Sequence, residues 1–396
     1  VHVLLLTHYY PPELGAAPAR IAALAHGLAG RGLEVSVHTG FPNYPTGTIE
    51  APYRNRLLTV EQDGPVRVLR SVVYPTPNRG FARRLANHTV FAAGALATCA
   101  AAGPVDVVIA ETPPLFTAAA GVAYSRLKGA KLALNVSDLW PESAIELGAL
   151  SEGRAAMGAD ALARACYRRA SLIAAPTRGI VESLGGREEA RGKVVRVAPA
   201  VDLERFAAIP ERPPREDGPI RVLYAGTLGI AQGVAVLVEA AALAGPGIVE
   251  LAIAGEGPDG AALRAQARGL ANVDVLGSVP ADRIPALYAD ADAGVVPLRD
   301  LPIFRGALPT KLFEALAAGR PVIVAAHGEA AELVRETAAG LAIKPADAQA
   351  LAEAFRCLRA DPRAAVEMGR RGRACAQRFD RETAVGLWSE LIEALD

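Results

Sequence analysis

Short apolar runs of Val, Leu, Ile and Ala alternate with longer Ala- and Leu-rich stretches along the whole chain, and Gly, Pro, Asn or Asp closes each run. Such alternation predicts strands separated by helices. In the first half the strand-like runs are residues 2–7, 34–39, 66–73, 106–110, 131–136, 171–175 and 194–198. They are apolar almost throughout rather than at alternate positions, as expected of parallel strands covered by helices on both faces. Over residues 202–218 the composition turns to Pro, Glu and Arg, as in Ile209-Pro210-Glu211-Arg212-Pro213-Pro214-Arg215, which cannot continue a helix and reads as a linker. The pattern then restarts, with runs at 220–225, 249–254, 273–276, 293–297, 321–325 and 340–343. The chain thus predicts an α/β protein of two doubly wound, Rossmann-like domains, residues 1–203 and 204–379. Ligands of open parallel sheets bind beyond the carboxyl ends of the strands, so two facing units would form one cleft. Gly15 and Gly226, in the turns after the two first strands, should face it.

Composition narrows the function classes. A length of 396 residues suits about two domains. Apolar residues make up 51% but aromatics only 5%, so the core is built from Ala, Val and Leu, and disorder is excluded. Lys plus Arg equals Asp plus Glu at 42 each, which removes the global basic field of nonspecific nucleic-acid binding. Cys99, Cys166, Cys357 and Cys375 are scattered, without a metal-ligand spacing or a disulfide framework, and a reducing cytoplasm fits them. The apolar start runs straight into polar, Pro-rich residues 7–13, unlike a signal peptide. Residues 89–102 are too short and too rich in Ala, Gly and Thr to span a membrane.

The most informative segment is Phe304-Arg305-Gly306-Ala307-Leu308-Pro309-Thr310-Lys311-Leu312-Phe313-Glu314, continuing to Gly319 and Pro321. Pro309 suits a first helical turn, and Gly319 with Pro321 predicts a stop after about three turns. Thr310, Lys311 and Glu314 are the polar residues of an otherwise apolar helix, and a spacing of three puts the two charges on one face. A first-turn cation opposes the helix dipole by a few tenths to ~1 kcal/mol unless an anion binds there. A diphosphate would fit: free N–H groups around residues 307–310 and Lys311 would hold it, with Glu314 one turn deeper for sugar hydroxyls. The competing reading is an intrahelical Lys–Glu ion pair.

Gly226-Thr227-Leu228-Gly229, Gly255-Glu256-Gly257, Asn272-Val273 with Gly277, Asp292-Ala293-Gly294 and the 309–319 block, in this order, resemble the C-terminal half of family 4 retaining glycosyltransferases of the GT-B fold. Tyr9-Tyr10-Pro11-Pro12-Glu13-Leu14-Gly15-Ala16, Gly40-Phe41-Pro42-Asn43-Tyr44-Pro45-Thr46-Gly47 and Asp138-Leu139-Trp140-Pro141-Glu142-Ser143 are similar to a subgroup that builds bacterial surface polysaccharides, N-acetylfucosamine-type transferases among them. The resemblance implies donor nucleotide in the C-terminal domain, acceptor mainly in the N-terminal one, and a final helix, residues 380–396, that crosses back. By position Glu314 is the second Glu of the family's Glu-x7-Glu motif and would grip ribose hydroxyls. The first Glu is replaced by Gly306, which leaves the donor sugar to Arg305 and the amides of Gly306 and Ala307, next to Leu308. A cationic pair of many relatives is replaced by Thr227 and Gln232, so Lys311, helped by Arg305 and the helix dipole, would stabilise the leaving diphosphate without a metal. The implied donor is a UDP-sugar rather than a GDP-sugar, carrying an N-acetylated amino or deoxyamino sugar. The implied acceptor is a glycan or a lipid-linked intermediate. No cofactor is called for.

Gly255-Glu256-Gly257-Pro258-Asp259-Gly260 also matches a dinucleotide fingerprint, but it follows the second strand of its sheet and Pro258 removes a loop N–H. Glu256 and the turn 277–280, including Gly277 and Val279, are assigned instead to a nucleotide-base pocket. In the first domain Asp138 is the candidate acceptor-side residue or a helix cap, with Glu142 beside it, and Trp140 either stacks on a sugar or packs in the core. Arg20 opposes its helix dipole and is a candidate for an anionic acceptor group. His8 and Tyr10 are second-tier candidates at the same end. Three cations beside Phe81 and Leu85 make residues 78–100 either a solvated helix start or a peripheral dock on the inner membrane surface. Two rival functions use the same architecture: a nucleotide-sugar 2-epimerase and a non-catalytic nucleotide-sugar-binding module.

Overall fold

A computed structural model describes all residues except 14, 44–45, 77–80, 230 and 396, and the side chain of Phe81. The chain divides into two compact units, Val1–Ala198 with Glu382–Asp396, and Pro199–Arg381. The first holds eight strands: β1 (His2–Leu6), β2 (Glu34–Gly40), β3 (Leu58–Asp63), β4 (Val66–Ser71), β5 (Val107–Thr112), β6 (Lys131–Val136), β7 (Leu172–Ala175) and β8 (Val194–Arg196). Their order is β3-β4-β2-β1-β5-β6-β7-β8. All neighbours are parallel except β3 and β4, which form an antiparallel hairpin. This hairpin departs from the all-parallel expectation. β3 reads Leu-Thr-Val-Glu-Gln-Asp and lies at the sheet edge with its residues partly exposed, so it lacks the apolar run by which the buried strands are recognised.

The second unit holds β9 (Ile220–Ala225), β10 (Val249–Ala254), β11 (Val273–Gly277), β12 (Ala293–Pro297), β13 (Val322–Ala325) and β14 (Gly340–Ile343), all parallel, in the order β11-β10-β9-β12-β13-β14. That is the doubly wound order, and it reverses direction between β9 and β12. The first sheet reverses likewise between β1 and β5. These two switch points locate the crevices where side chains can converge on a ligand.

Apolar strand faces and helices form the cores. Leu4, Leu6, Val108, Ala110 and Leu134 pack on one face of the first sheet, and Val3, Leu5, Val37 and Ile109 on the other. The last helix, Arg381–Glu393, adds Val385, Trp388 and Ile392 to that second face beside Ile21 and Leu28. Trp388 is therefore core.

The stretch read as a linker is pinned to the second unit. Arg373 donates to Ile209 O at 2.8 Å and Arg320 to Pro210 O at 3.4 Å, while Arg370 holds the Glu211 carboxylate at 2.9 Å. Arg212 pairs with Asp292 and donates to Ala289 O at 2.9 Å. Arg320, only 2% exposed, also takes Tyr288 O at 2.8 Å. Both arginines thereby satisfy carbonyls at the end of the helix Ile284–Asp290, where cations are stabilised by the dipole. The structural units meet at 198/199, and residues 199–203 belong to the second.

Gly255 shows why small residues recur at the ends of β9 and β10. A Cβ there would lie 1.8 Å from Gly226 O, and the backbone φ is +152°. The Gly255→Ala variant should lose about 3 kcal/mol or more of stability in urea unfolding, and near-wild-type stability would contradict this packing.

Candidate functional site

The site residues of the second unit stand at the carboxyl ends of β9, β10, β11 and β12, around the switch point. Lys311 belongs to the helix Thr310–Ala317, two turns long rather than the expected three, with Pro309 as its N-cap (φ −65°, ψ 138°). Leu312, Phe313, Leu316 and Ala317 face the core, so the helix is held by its apolar side and carries Lys311 with it. Lys311 is itself only 8% exposed. Its side chain extends under the Gly226 turn: a Cβ at Gly226 would lie 2.6 Å from Lys311 Cε. The ammonium sits 5.0 Å from the centre of the Tyr224 ring, a cation–π distance. The Tyr224 hydroxyl donates to Thr227 O at 2.6 Å and so fixes the same turn.

No ion pair within 4.0 Å joins Lys311 to Glu314 or to any other carboxylate among the described residues, so the intrahelical-pair reading is not what forms. Burial pushes the Lys311 ammonium down to about 8, and Glu314 opposes that only in part. Burial raises the Glu314 carboxyl, while Arg205 and Lys311 hold it back. Arg205, on the short helix Glu204–Ala207, escaped the sequence reading because nothing in its local pattern sets it apart from the Pro- and Arg-rich stretch that follows. The helix Thr310–Ala317 thus carries a cation and a carboxylate whose charged forms burial disfavours and whose neighbours compensate only in part.

The amides at the helix start are distributed differently from the expectation. Ala307 N–H is already taken by Phe304 O at 3.1 Å, because Pro302–Gly306 forms a 3-10 turn. Pro309 has no N–H. The amides of Leu308, Thr310 and Lys311 have no backbone acceptor among the described residues and remain for an anion. Ala307 is therefore corrected from amide donor to turn residue. Gly306 lies in the turn and Leu308 is buried. Arg305 is exposed and has no ion-pair partner among the described residues.

Thr227 is exposed on the Gly226 turn, and a Cβ on Gly229 would lie 3.1 Å from Gln232 Oε1, so these two neutral residues line one loop. Glu256 follows β10, half exposed, and pairs with Arg264 at 3.2 Å. It borders Gly277, whose Cβ would lie 3.2 Å from Glu256 Oε1, and Val279 continues that turn. The Gly255 and Gly257 positions serve backbone nesting against residues 226 and 228, which is why the fingerprint appears after a second strand.

In the first unit several polar candidates already have partners. Gly15 (φ +141°) is the N-cap of the helix Ala16–Gly30. Arg20 Nη2 donates to Glu111 Oε2 at 2.6 Å and to Ser137 Oγ at 2.9 Å. Glu111, next to last in β5, was missed by sequence reading, since it looked like the polar close of an apolar run. Glu142 is held by Arg187, an ion pair within this unit. Burial raises the Asp138 carboxyl, against hydrogen bonds from Ser143 and the Leu139 backbone. Trp140 is partly buried against Ala144, Leu150 and Ala156. His8 is buried and kept neutral by desolvation, stacked edge-on with His88 and Phe91. The buried Tyr10 donates to Asp63 at 2.8 Å. Of residues 78–100, positions 78–80 lie outside the described residues. On the helix Phe81–Ala97, Arg83 is exposed while Phe91 and Ala95 are core.

A cavity of about 40 Å³, lined by Arg212, Pro214, Arg215, Asp292 and Arg320 among others, lies at the opposite, amino ends of β9, β12 and β13. None of the candidate site residues lines it. Among the described residues no group of three or more His, Cys, Asp or Glu could hold a metal ion, and no helix is long and apolar enough to cross a membrane.

Two family descriptions match the chain in tandem: a glycosyl transferase 4-like domain over residues 15–200 and glycosyl transferases group 1 over residues 219–361. Both matches are to glycosyltransferases, one for each half of the chain. The transferase is 26% identical to the colanic acid biosynthesis glycosyl transferase WcaI of Escherichia coli K12 over 370 residues, 88% of this chain and 89% of that one. Its fold matches sucrose-phosphate synthase of Thermosynechococcus elongatus (TM-score 0.75, 21% identity, 100% and 98% of the two chains). It also matches HepE of Anabaena in complex with UDP (TM-score 0.70, 20% identity, 100% of both chains). The transferase therefore has two Rossmann-like α/β domains of the GT-B fold.

A Lys whose folded value lies below its usual 10.5 binds fewer protons folded than unfolded between pH 8 and 10.5, so it costs stability at neutral pH and the cost fades as pH rises through that window. The shift corresponds to ~3 kcal/mol. Lys311→Met should accordingly raise the urea-unfolding stability of the ligand-free transferase by ~1–3 kcal/mol at pH 7; a less stable variant would contradict the unpaired-ammonium geometry.

Proposed function

We propose that this transferase moves a sugar from a UDP-sugar, in preference to a GDP-sugar, to a glycan or lipid-linked acceptor in surface-polysaccharide biosynthesis, with retention of anomeric configuration. The observation that carries the reading is the buried, unpaired Lys311 ammonium beside free amides at the amino end of its helix. Departure of the sugar leaves charge on the diphosphate. A desolvated cation already in place stabilises that charge more than a solvated one and needs no reorganisation at the moment of reaction. Lys311 is assigned this role, without a divalent metal. Glu314 accepts hydrogen bonds from ribose hydroxyls, a role favoured by its burial among groups that do not neutralise it. Glu256, Gly277 and Val279 border the base, Thr227 and Gln232 the diphosphate loop, and Arg305, Gly306 and Leu308 the donor sugar. An N-acetylated amino or deoxyamino sugar suits the loss of a carboxylate at Gly306.

The relatives support the class. WcaI bears a colanic-acid biosynthesis name, and HepE was solved with UDP and with UDP-glucose. Asp138, Trp140, Glu142 and Gly15 are assigned to the acceptor side, Asp138 orienting a hydroxyl. Its raised carboxyl is suited to hydrogen bonding and needs no strong basicity, because the departing phosphate can take the acceptor proton. Arg83 and Arg84, with residues 78–80, are proposed to touch an anionic inner-membrane surface.

Lys311→Ala should reduce transfer by about 10²-fold in kcat, with EDTA leaving the wild-type rate unchanged. Glu314→Ala should instead raise the Kd for UDP about tenfold or more by calorimetry. Unchanged constants in both variants, or conversion of a UDP-sugar to an epimer with no acceptor present, would defeat the assignment.

A further inference from the structure

The cavity of about 40 Å³ at the amino ends of β9, β12 and β13 exceeds the ~10–15 Å³ that one water requires. Three guanidinium groups line it, those of Arg212, Arg215 and Arg320, and two carboxylates stand against them. Both carboxylates are engaged. Asp292 Oδ1 accepts from Arg212 Nε, and Oδ2 accepts from the Arg221 amide at 2.8 Å and lies 3.5 Å from Arg215 Nη1. Glu211 is held by Arg370, at 2.9 Å from its Nε. Arg320, the most deeply buried of the three, has no carboxylate partner among the described residues and binds the carbonyls of Pro210, Tyr288 and Ala289 instead. Burial, with Arg212 and Arg373 beside it, pushes its guanidinium down to about 10, and Asp292 opposes that only in part. Cations therefore outnumber carboxylates around the cavity.

Arg215 supplies a free donor. Its Nε is shut off from solvent and has no hydrogen-bond partner among the described residues, and a buried N–H left without an acceptor costs stability. Because Asp292 meets this side chain at Nη1, the other edge of the guanidinium, Nε with Nη2, remains to donate two parallel bonds, the geometry that a planar carboxylate accepts. The facing walls are apolar, built from Ile220, Leu358, Ala365 and Val366. Such walls suit an aliphatic body. They penalise a dianion that could not be fully paired, and Asp292 would repel its second charge.

We propose that this cavity is a second ligand site, separate from the donor site, and that it takes a short aliphatic monocarboxylate, with the carboxylate on the Nε–Nη2 edge of Arg215 in the field of Arg320 and the carbon chain against Leu358 and Ala365. Arg212 and Arg215 belong to the Pro-rich segment, whereas Arg320 lies just before β13. An anion bound among them ties that segment to the sheet and adds to the bonds that Arg320 and Arg373 make to Pro210 and Ile209. Its occupancy should therefore be read first in the stability of the second unit.

Sodium propionate serves as the probe, titrated into the full chain at constant ionic strength, with sodium phosphate and 1-propanol as separate titrants. Propionate should bind saturably in the millimolar range or tighter and raise the thermal unfolding midpoint as it does so. Arg215→Met should weaken it about tenfold or more. Ala365→Leu, which fills the apolar wall and keeps every arginine, should weaken it as much. In Arg-selective NMR the Arg215 Nε–H signal should move on adding propionate to the wild type and stay in place in Ala365→Leu. The Arg215 side chain is 26% exposed and Ala365 is partly buried, so either variant keeps the test valid should the other fail to fold. Saturating UDP should leave propionate affinity within about twofold. Absence of saturable propionate binding, or binding unchanged in a folded variant, overturns the proposal. Phosphate bound as tightly overturns the monocarboxylate class, 1-propanol bound as tightly overturns the anion site, and competition by UDP overturns its separateness from the donor site.

Discussion

A single desolvated ammonium organises the second domain. Lys311 lies on a helix whose remaining side chains are anchored in the core, and it reaches beneath a turn that only glycine can form at position 226. Water is largely excluded, and an aromatic face supplies what contact there is. The neighbouring glycine turns pack backbone on backbone, so the pocket cannot relax by moving its walls. The electrostatic cost of the charge is carried by the rest of the fold.

Much of this was legible in the chain. Buried parallel strands announce themselves by continuous apolar runs, and β6, β9, β10, β12 and β14 fall on the expected residues. The edge strand β3 did not, because half-exposed strands carry mixed residues that resemble loops. Lys311 and Glu314 stood out since charge on an apolar helix has to be explained. Their environment was not legible: Tyr224, Arg205 and the Gly226 backbone come from distant parts of the sequence, and only folding brings them to one place. The same holds for Glu111, whose meaning depends on Arg20, ninety-one residues earlier.

Composition misled over residues 209–215. Prolines exclude helix, and absence of helix suggested a free connection. Extended backbone with unused carbonyls is also an acceptor for buried arginines, and Arg320 and Arg373 bind it at Pro210 and Ile209. These arginines bring the segment into the domain and close a helix end at the same time, a use of guanidinium geometry that lysine could not reproduce.

If an anion binds Lys311, it restores the ammonium that burial disfavours, and binding must then take up a proton near the pH where half the free protein lacks it. Calorimetric titration of UDP at pH 8 in buffers of different ionisation enthalpy measures that uptake directly. The account predicts uptake of about half a proton per UDP bound, abolished in Lys311→Met. Binding with no proton uptake in the wild type, or with the same uptake in the variant, would contradict it.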